Sequence, residues 1–528
     1  MRKTVGEVLI DLLESHHVDT VFGIPGVHTL ELYRGLANSS IRHITPRHEL
    51  SAGFMADGYA RVSGKPGVCF LITGPGLTNA ITAMAQARAD SIPMLIISGV
   101  NPVATAKLEE GHLHELPDQA AMMATIALSS QTLTRGEELE KVLEDAFARM
   151  TAARPGPVHI DIPLDVMAEL ISVPAEKLGT PVLPPQVESS LLQEAAKRCN
   201  AANNPVILAG GGAIDADLTA FAEHIDAPVV STVNARGVLA AHPLCVPASP
   251  SLKPVRNLLA DSDLVIAIGT QFGPTDFDMY MDGEFPALKQ LIRIDVDSAQ
   301  ANKGPKADLT IVGSAAVVVD SLLPLLQPRS SDNKGATAAA GTNKLAYEAL
   351  PQTYLDHINV LKTISATLAN VVMVGDSTQL IYAGNLYCEI DRIRGWFNSA
   401  TGYGALGYAA PAAIGAQLAD GNAPVVCLIG DGGFQFCLAE LGTAMDEKTP
   451  VIFIVWNNQG YQEIETFMID NDITPIGVTP SAPDFTMLAN AYGMSSEVIS
   501  NTSDLAGALT NAAALKQPYL IEIQVAAT

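Results

Sequence analysis

PVVCLIGDGGF at positions 424–434 and VIFIVWNN at 451–458 are the two stretches whose reading decides the fold. Each is an apolar, β-branched run that stops abruptly at small and amide residues. Runs apolar on both faces belong to strands covered by helices on either side, the pattern of a parallel sheet. In such sheets ligands sit at the carboxyl ends of the strands, where Gly430-Asp431-Gly432 and Asn457-Asn458 fall, 24 residues apart. An Asp at one strand end and an amide oxygen at the next are hard oxygen ligands suited to Mg²⁺. Gly432 and Gly433 carry no side chains, so their N–H groups can approach a phosphate at the start of the helix expected from Phe434. GDG alone also fits an ordinary turn and NN a helix cap, but the paired strand ends favour a Mg²⁺–diphosphate anchor.

Working outward, the same type of run recurs at 68–73, 94–99, 157–162, 205–210, 263–269, 291–297 and 371–376, separated by Ala-rich segments of helix length. At roughly 150–200 residues per domain, 528 residues predict about three units. Pro-, Gly- and Ser-rich stretches within 166–190 and at 327–342 read as linkers. The expected architecture is therefore α/β, with three doubly wound parallel-sheet domains at about 1–170, 185–327 and 345–528.

The chain has 48% hydrophobic and 16% charged residues and a net charge of −25. That excludes general disorder and makes a nucleic-acid or anionic membrane surface improbable. An anionic ligand must then be held by backbone dipoles or a metal. Six cysteines with no C-x-x-C pair argue against a disulfide framework or a thiolate zinc site. The N-terminal helix pattern is interrupted by Glu7 and Asp11, unlike a secretory signal, and no apolar run reaches a membrane span. A cytoplasmic protein is expected.

With its 24-residue gap, the GDG–NN arrangement resembles the thiamine diphosphate motif of the acetolactate synthase and benzoylformate decarboxylase superfamily. VFGIPG (21–26), RHE (47–49), ADGYAR (56–61), TGPGLTNA (73–80), ADSIPMLIISG (89–99), RPGPVHIDIP (154–163), PVILAGGGA (205–213) and GYGALGYAAPAAIGA (402–416) are similar to further family landmarks, in the family's order. The resemblance implies pyrimidine-binding, middle and diphosphate-binding domains, and a homodimer or homotetramer with active sites between subunits. It implies decarboxylation of a 2-oxo acid through an enamine, followed by aldehyde release or ligation to a second carbonyl compound.

By the same resemblance, Asp431, Asn458 and the carbonyl of Gly460 are Mg²⁺ ligands, while Ser377, Thr378, Gly432, Gly433 and Tyr461 lie along the diphosphate. Glu49 matches the glutamate that bonds the pyrimidine ring and shifts it towards a form able to activate its own thiazolium carbon. Thr73 and Asn79 belong to the same cofactor set. The carbonyl of Gly404 matches the acceptor for the pyrimidine amine, and Leu406 the bulky residue beneath the bent cofactor.

Departures from the acetolactate synthase pattern carry information about the substrate. Val27 and His28 follow the PG of VFGIPG where a small residue is usual, and Leu113-His114-Glu115 stands for Phe-Gln-Glu. A histidine can deliver a proton near neutral pH and a glutamine cannot, which favours aldehyde release with His114 and His28 as acid–base candidates. Both also read as ordinary loop histidines. Glu463, Ile464 and Phe467 replace Met, Val and Trp on the pocket helix, and a carboxylate there would favour a cationic tail. GIPGVHTLELYRGL and HLHELPDQ are similar to the guanidino-oxopentanoate (2-ketoarginine) decarboxylase branch. Acetolactate synthases usually continue into a C-terminal arm after the last strand, whereas this chain ends at IEIQVAAT.

GGGA (210–213) and IDVD (294–297) resemble FAD-binding members, but QFGPTDFD lacks their arginine, so both FAD and a vestigial site stay open. Three alternatives compete with this reading: an acetolactate synthase, a cofactor-binding regulatory homologue, and a nicotinamide oxidoreductase. The last fails for want of a G-x-G-x-x-G fingerprint.

Overall fold

The computed structural model describes residues 2–105, 108–173, 187–275, 285–329 and 333–525. Three six-stranded parallel sheets follow one another along the chain. The first runs Arg42–Ile44, Thr20–Gly23, Gly67–Leu71, Met94–Val100, Pro157–Pro163, Ser129–Thr132. The second runs Cys245–Val246, Val229–Ser231, Pro205–Ala209, Leu264–Ile268, Leu291–Asp295, Leu309–Val312. The third runs Trp396–Asn398, Val372–Gly375, Val425–Gly430, Val451–Asn457, Tyr519–Gln524, Ser495–Ile499. Numbered within each sheet, the outer two share the order 2-1-3-4-6-5, whereas the middle one is 3-2-1-4-5-6. The terminal thirds are thus one topology used twice, although no sequence repeat marks it. A short antiparallel pair, Arg2–Thr4 with Leu170–Ser172, ties the first strand to the end of the first unit.

The runs read from sequence are the central strands of these sheets, and their side chains are buried on both faces. Edge strands such as Arg42–Ile44 and Ser129–Thr132 are short and polar and carry no comparable signal. The first and third sheets are joined through two helices, Glu49–Ser63 and Ala409–Ala419. Their small residues let the backbones touch: a Cβ on Gly58 would fall 2.0 Å from Ala412 O, and one on Gly415 would fall 1.9 Å from Met55 O. Asp57 is buried in this contact, where Arg61 Nε (2.6 Å) and the Tyr408 hydroxyl donate to it, and Arg61 also reaches Asp90 at 2.6 Å. The opposite charges offset desolvation that none of them could bear alone.

One expectation is corrected. Residues 327–342 are not simply a linker, because Lys334–Glu348 is a helix. Its Ala339 and Ala346 are buried against the middle unit, and Gly335 lies against the carbonyl of Asp226. The small residues there serve close packing. The other linker reading falls largely on residues 174–186, outside the described residues. All six cysteines are free thiols, and among the described residues no helix is long and apolar enough to cross a membrane.

Candidate functional site

At the carboxyl end of the third sheet, Asp431 opens a short helix, Asp431–Phe434, directly after the strand Val425–Gly430. Asp431 is buried, its Oδ2 has no hydrogen-bond partner, and burial pushes its carboxyl up from the ordinary range. One terminal atom of the Asn458 amide lies 3.1 Å from Asp431 Oδ1 and 2.9 Å from Gly460 O. As a nitrogen this atom donates to both. As an oxygen it completes a set of three facing acceptors that only a cation would reconcile. The donor set is oxygen only, with one carboxylate, and it suits a hard divalent ion that keeps part of its own shell. Gly460, at φ 151°, is pressed against Val478 O, so no side chain fits there.

The glycines around this point are filled in by specific neighbours. Tyr461 covers Gly432, Thr378 covers Gly430, and Asp376 lies against Gly433. Ser377 donates its N–H to Asp376 Oδ1 at 2.8 Å. The turn Gly402–Gly407 runs past the same region, with Gly404 exposed at φ 77° and Leu406 half-buried. Adjacent asparagines diverge here: Asn457 donates to Glu522 Oε1 on the last strand at 2.8 Å, which leaves Asn458 to face Asp431.

A second cluster lies at the carboxyl ends of the first sheet. Glu49 begins its helix and accepts from Asn79 Nδ2 at 3.0 Å, with Gly76 packed beside its carboxyl. Thr73 is buried and donates to Gln119 Oε1 at 2.8 Å, an atom that also accepts from Gly74 N at 3.0 Å. Gln119 Nε2 in turn donates to the buried Asp161 at 2.7 Å. His114, at φ 60°, packs its backbone on Gly74, and its ring meets that of His28 edge-on at 5.4 Å. His28 is buried, and that burial holds its imidazole below the ordinary range, against an opposing influence of Asn101. Val27 beside it is exposed. Gln119 and Asp161 lie inside the runs HLHELPDQ and RPGPVHIDIP, but no local signal gave either a role, because they meet each other and Thr73 through contacts distant along the chain.

Among the described residues the two clusters are not joined within the chain. Gly58 pairs with Ala412 and Met55 with Gly415, so the two central helices run antiparallel. Glu49 is therefore at one end of the pair and Gly404 and Leu406 beyond the other, on the order of 20 Å apart at 1.5 Å per helical residue.

The helix Gln462–Asp470 follows Tyr461. Burial raises the Glu463 carboxyl, and burial, with a lesser part from the negative charge of Glu463, raises the Tyr354 phenol. Ile464 and Phe467 are exposed. Where the three units meet there is a cavity of about 470 Å³ bounded by Gly211, Gly212, Gly269, Arg154, Gln271 and Asp295. It opens at the switch point of the middle sheet, and Gln271 accepts from Arg154 at 2.7 Å inside it.

Comparison with known proteins places these features in context. Residues 3–122 match the model of the thiamine pyrophosphate enzyme N-terminal TPP binding domain, 192–322 that of the central domain, and 376–523 that of the C-terminal TPP binding domain. The chain is 43% identical to a probable 2-ketoarginine decarboxylase of Pseudomonas aeruginosa over 93% of its length and 88% of that protein. It is 30% identical to the large subunit of acetolactate synthase isozyme 1 of Escherichia coli, over 99% of this chain and 94% of that one. The solved structure of a thiamine diphosphate-dependent 4-hydroxybenzoylformate decarboxylase of Rhodococcus jostii RHA1 superimposes with a TM-score of 0.83 at 24% identity, covering 99% of each chain.

Proposed function

The chain belongs to the thiamine pyrophosphate enzyme family, and from that premise we propose that it is a Mg²⁺-dependent decarboxylase of a 2-oxo acid with a cationic tail, 2-ketoarginine being the type substrate. The observation that carries the metal assignment is the convergence of Asp431, the Asn458 amide and Gly460 O around an unpartnered buried carboxylate oxygen. Asp431, Asn458 and Gly460 would hold Mg²⁺. Ser377, Thr378, Gly432, Gly433 and Tyr461 would line the diphosphate, whose charge an acidic chain could not otherwise accommodate. When bound, thiamine diphosphate supplies the electron sink that decarboxylation of a 2-oxo acid requires.

The protein's part is to bind, orient and move protons. Glu49, held by Asn79, offers a carboxyl to the pyrimidine ring. Gly404 and Leu406 would take the other side of the cofactor, with Thr73 fixing the turn beneath it. Because one protomer keeps Glu49 far from Leu406, the site is completed by a second copy of the chain, as a homodimer or a pair of such dimers. His114 and His28 would be the acid–base pair for aldehyde release, with their rings edge-on and His28 buried, its imidazole held below the ordinary range. Glu463, half-buried with its carboxyl short of solvent, is the counter-charge for a guanidinium or ammonium tail. The cavity between the three units is where FAD would lie.

Product analysis with 2-ketoarginine and pyruvate tests this reading. The expected outcome is CO₂ and aldehyde from 2-ketoarginine, with Glu463→Gln lowering kcat/KM for that substrate about 10- to 150-fold, the equivalent of a charge-assisted hydrogen bond, and affecting pyruvate little. Efficient conversion of pyruvate to acetolactate with 2-ketoarginine ignored would replace it with the acetolactate synthase reading, which the similarity over 99% of the chain supports.

A further inference from the structure

Asp376 is a fully buried carboxylate at the end of the strand Val372–Gly375, and its partners are all main chain. Its Oδ1 accepts from Ser377 N at 2.8 Å, and its Oδ2 from Tyr408 N at 3.0 Å and, more loosely, from Ala409 N at 3.5 Å. Its carboxyl carbon lies where a Cβ on Gly433 would meet it at 3.4 Å. One side chain therefore touches three segments that are remote in sequence: the loop Ser377–Thr378, the turn that carries Gly404 and Leu406, and the glycines after Asp431. Burial raises its pKa to about 6, opposed by these N–H donors, and the titratable side chains acting with it are the thiols of Cys427 and Cys437. Near neutral pH it is an anion that only peptide dipoles stabilise, so those dipoles are drawn towards a single point.

We propose that Asp376 is a positioning residue that holds the diphosphate loop and the Gly404–Tyr408 turn in one fixed relation, so that both ends of the bound cofactor are addressed at once. This rests on the cofactor assignments of Ser377, Thr378, Gly404 and Leu406 made above. The carboxylate is fully buried and turned to main-chain N–H groups. It removes the freedom of the two segments assigned to the cofactor, and misplacement of such groups by about 1 Å costs on the order of 10²-fold in rate.

The experiment compares wild type with Asp376→Asn, which has the same shape but turns a donor towards N–H groups on one side. Three readouts are taken on full-length protein: the melting temperature without cofactor, the Kd of thiamine diphosphate with Mg²⁺ by calorimetry, and kcat and KM for the 2-oxo acid at saturating cofactor. The expected result is a melting temperature within a few degrees of wild type, cofactor Kd raised about tenfold or more, kcat lowered by on the order of 10²-fold and KM nearly unchanged. A purely structural role would instead lower the melting temperature while leaving Kd and kcat of the folded fraction as in wild type, and that result overturns the proposal. Should Asp376→Asn not fold, Asp376→Ser removes the carboxylate without added volume and is read in the same way. Failure of both to fold also overturns it. Absence of cofactor binding by the wild type would overturn the functional reading itself, an outcome distinct from either.

Discussion

Asn457 and Asn458 are neighbours with unrelated tasks, and the difference is decided by where their strand ends. Asn457 is the last residue of Val451–Asn457 and points into the sheet to donate to the buried Glu522, while Asn458 turns towards Asp431. Asn457→Ala is expected to lower the stability of the cofactor-free chain by about 1–3 kcal/mol, the range for losing a hydrogen bond to a charged, buried acceptor. Asn458→Ala should leave that stability nearly unchanged and abolish retention of thiamine diphosphate in dialysis. Chemical denaturation of the cofactor-free proteins, set beside cofactor retention after dialysis, separates the two; equal losses in both assays would contradict the division. The pair was legible in sequence as a motif. Which asparagine faces Asp431 was expected from family resemblance, and the partner of the other, 65 residues away, had no local signature.

At the scale of elements, the central helices show how composition serves packing. ELSAGFMADGYARVS and AAPAAIGAQLA have weak amphipathic character because both are buried nearly all round. Their glycines are required by contact, since no side chain can be placed between Gly58 and Ala412 O at 2.0 Å. Gly58→Ala is therefore expected to force the helices apart and destabilise the protein by at least 1–3 kcal/mol, roughly the cost of overpacking a close-packed core. A melting curve checks it, and an unchanged or raised midpoint would show that the contact yields. The same logic explains the misread segment at 334–342, where Gly and Ala look like a linker in isolation but form a helix lodged against the middle unit. Small residues signal either flexibility or close approach, and sequence periodicity does not separate the two.

Across the whole molecule, the antiparallel helix pair keeps Glu49 and Leu406 of one chain about 20 Å apart. Neither Glu49→Gln nor Asp431→Ala alone is expected to be active. If each site takes Glu49 from one chain and Asp431 from the other, mixing the two variants under subunit exchange restores activity through hybrid sites. No recovery despite demonstrated exchange would mean that each chain assembles its own site. The residue types of the candidate site were legible in the sequence itself. Metal and phosphate binding need particular residue types at adjacent strand ends, and strand ends are marked locally by where apolar runs stop. What the tertiary structure alone decided was which distant groups meet: Gln119 under Thr73, Asp376 beneath two loops, and Glu49 away from Leu406. These depend on how helices and sheets pack across hundreds of residues, and side-chain periodicity records which face is buried without recording what it is buried against.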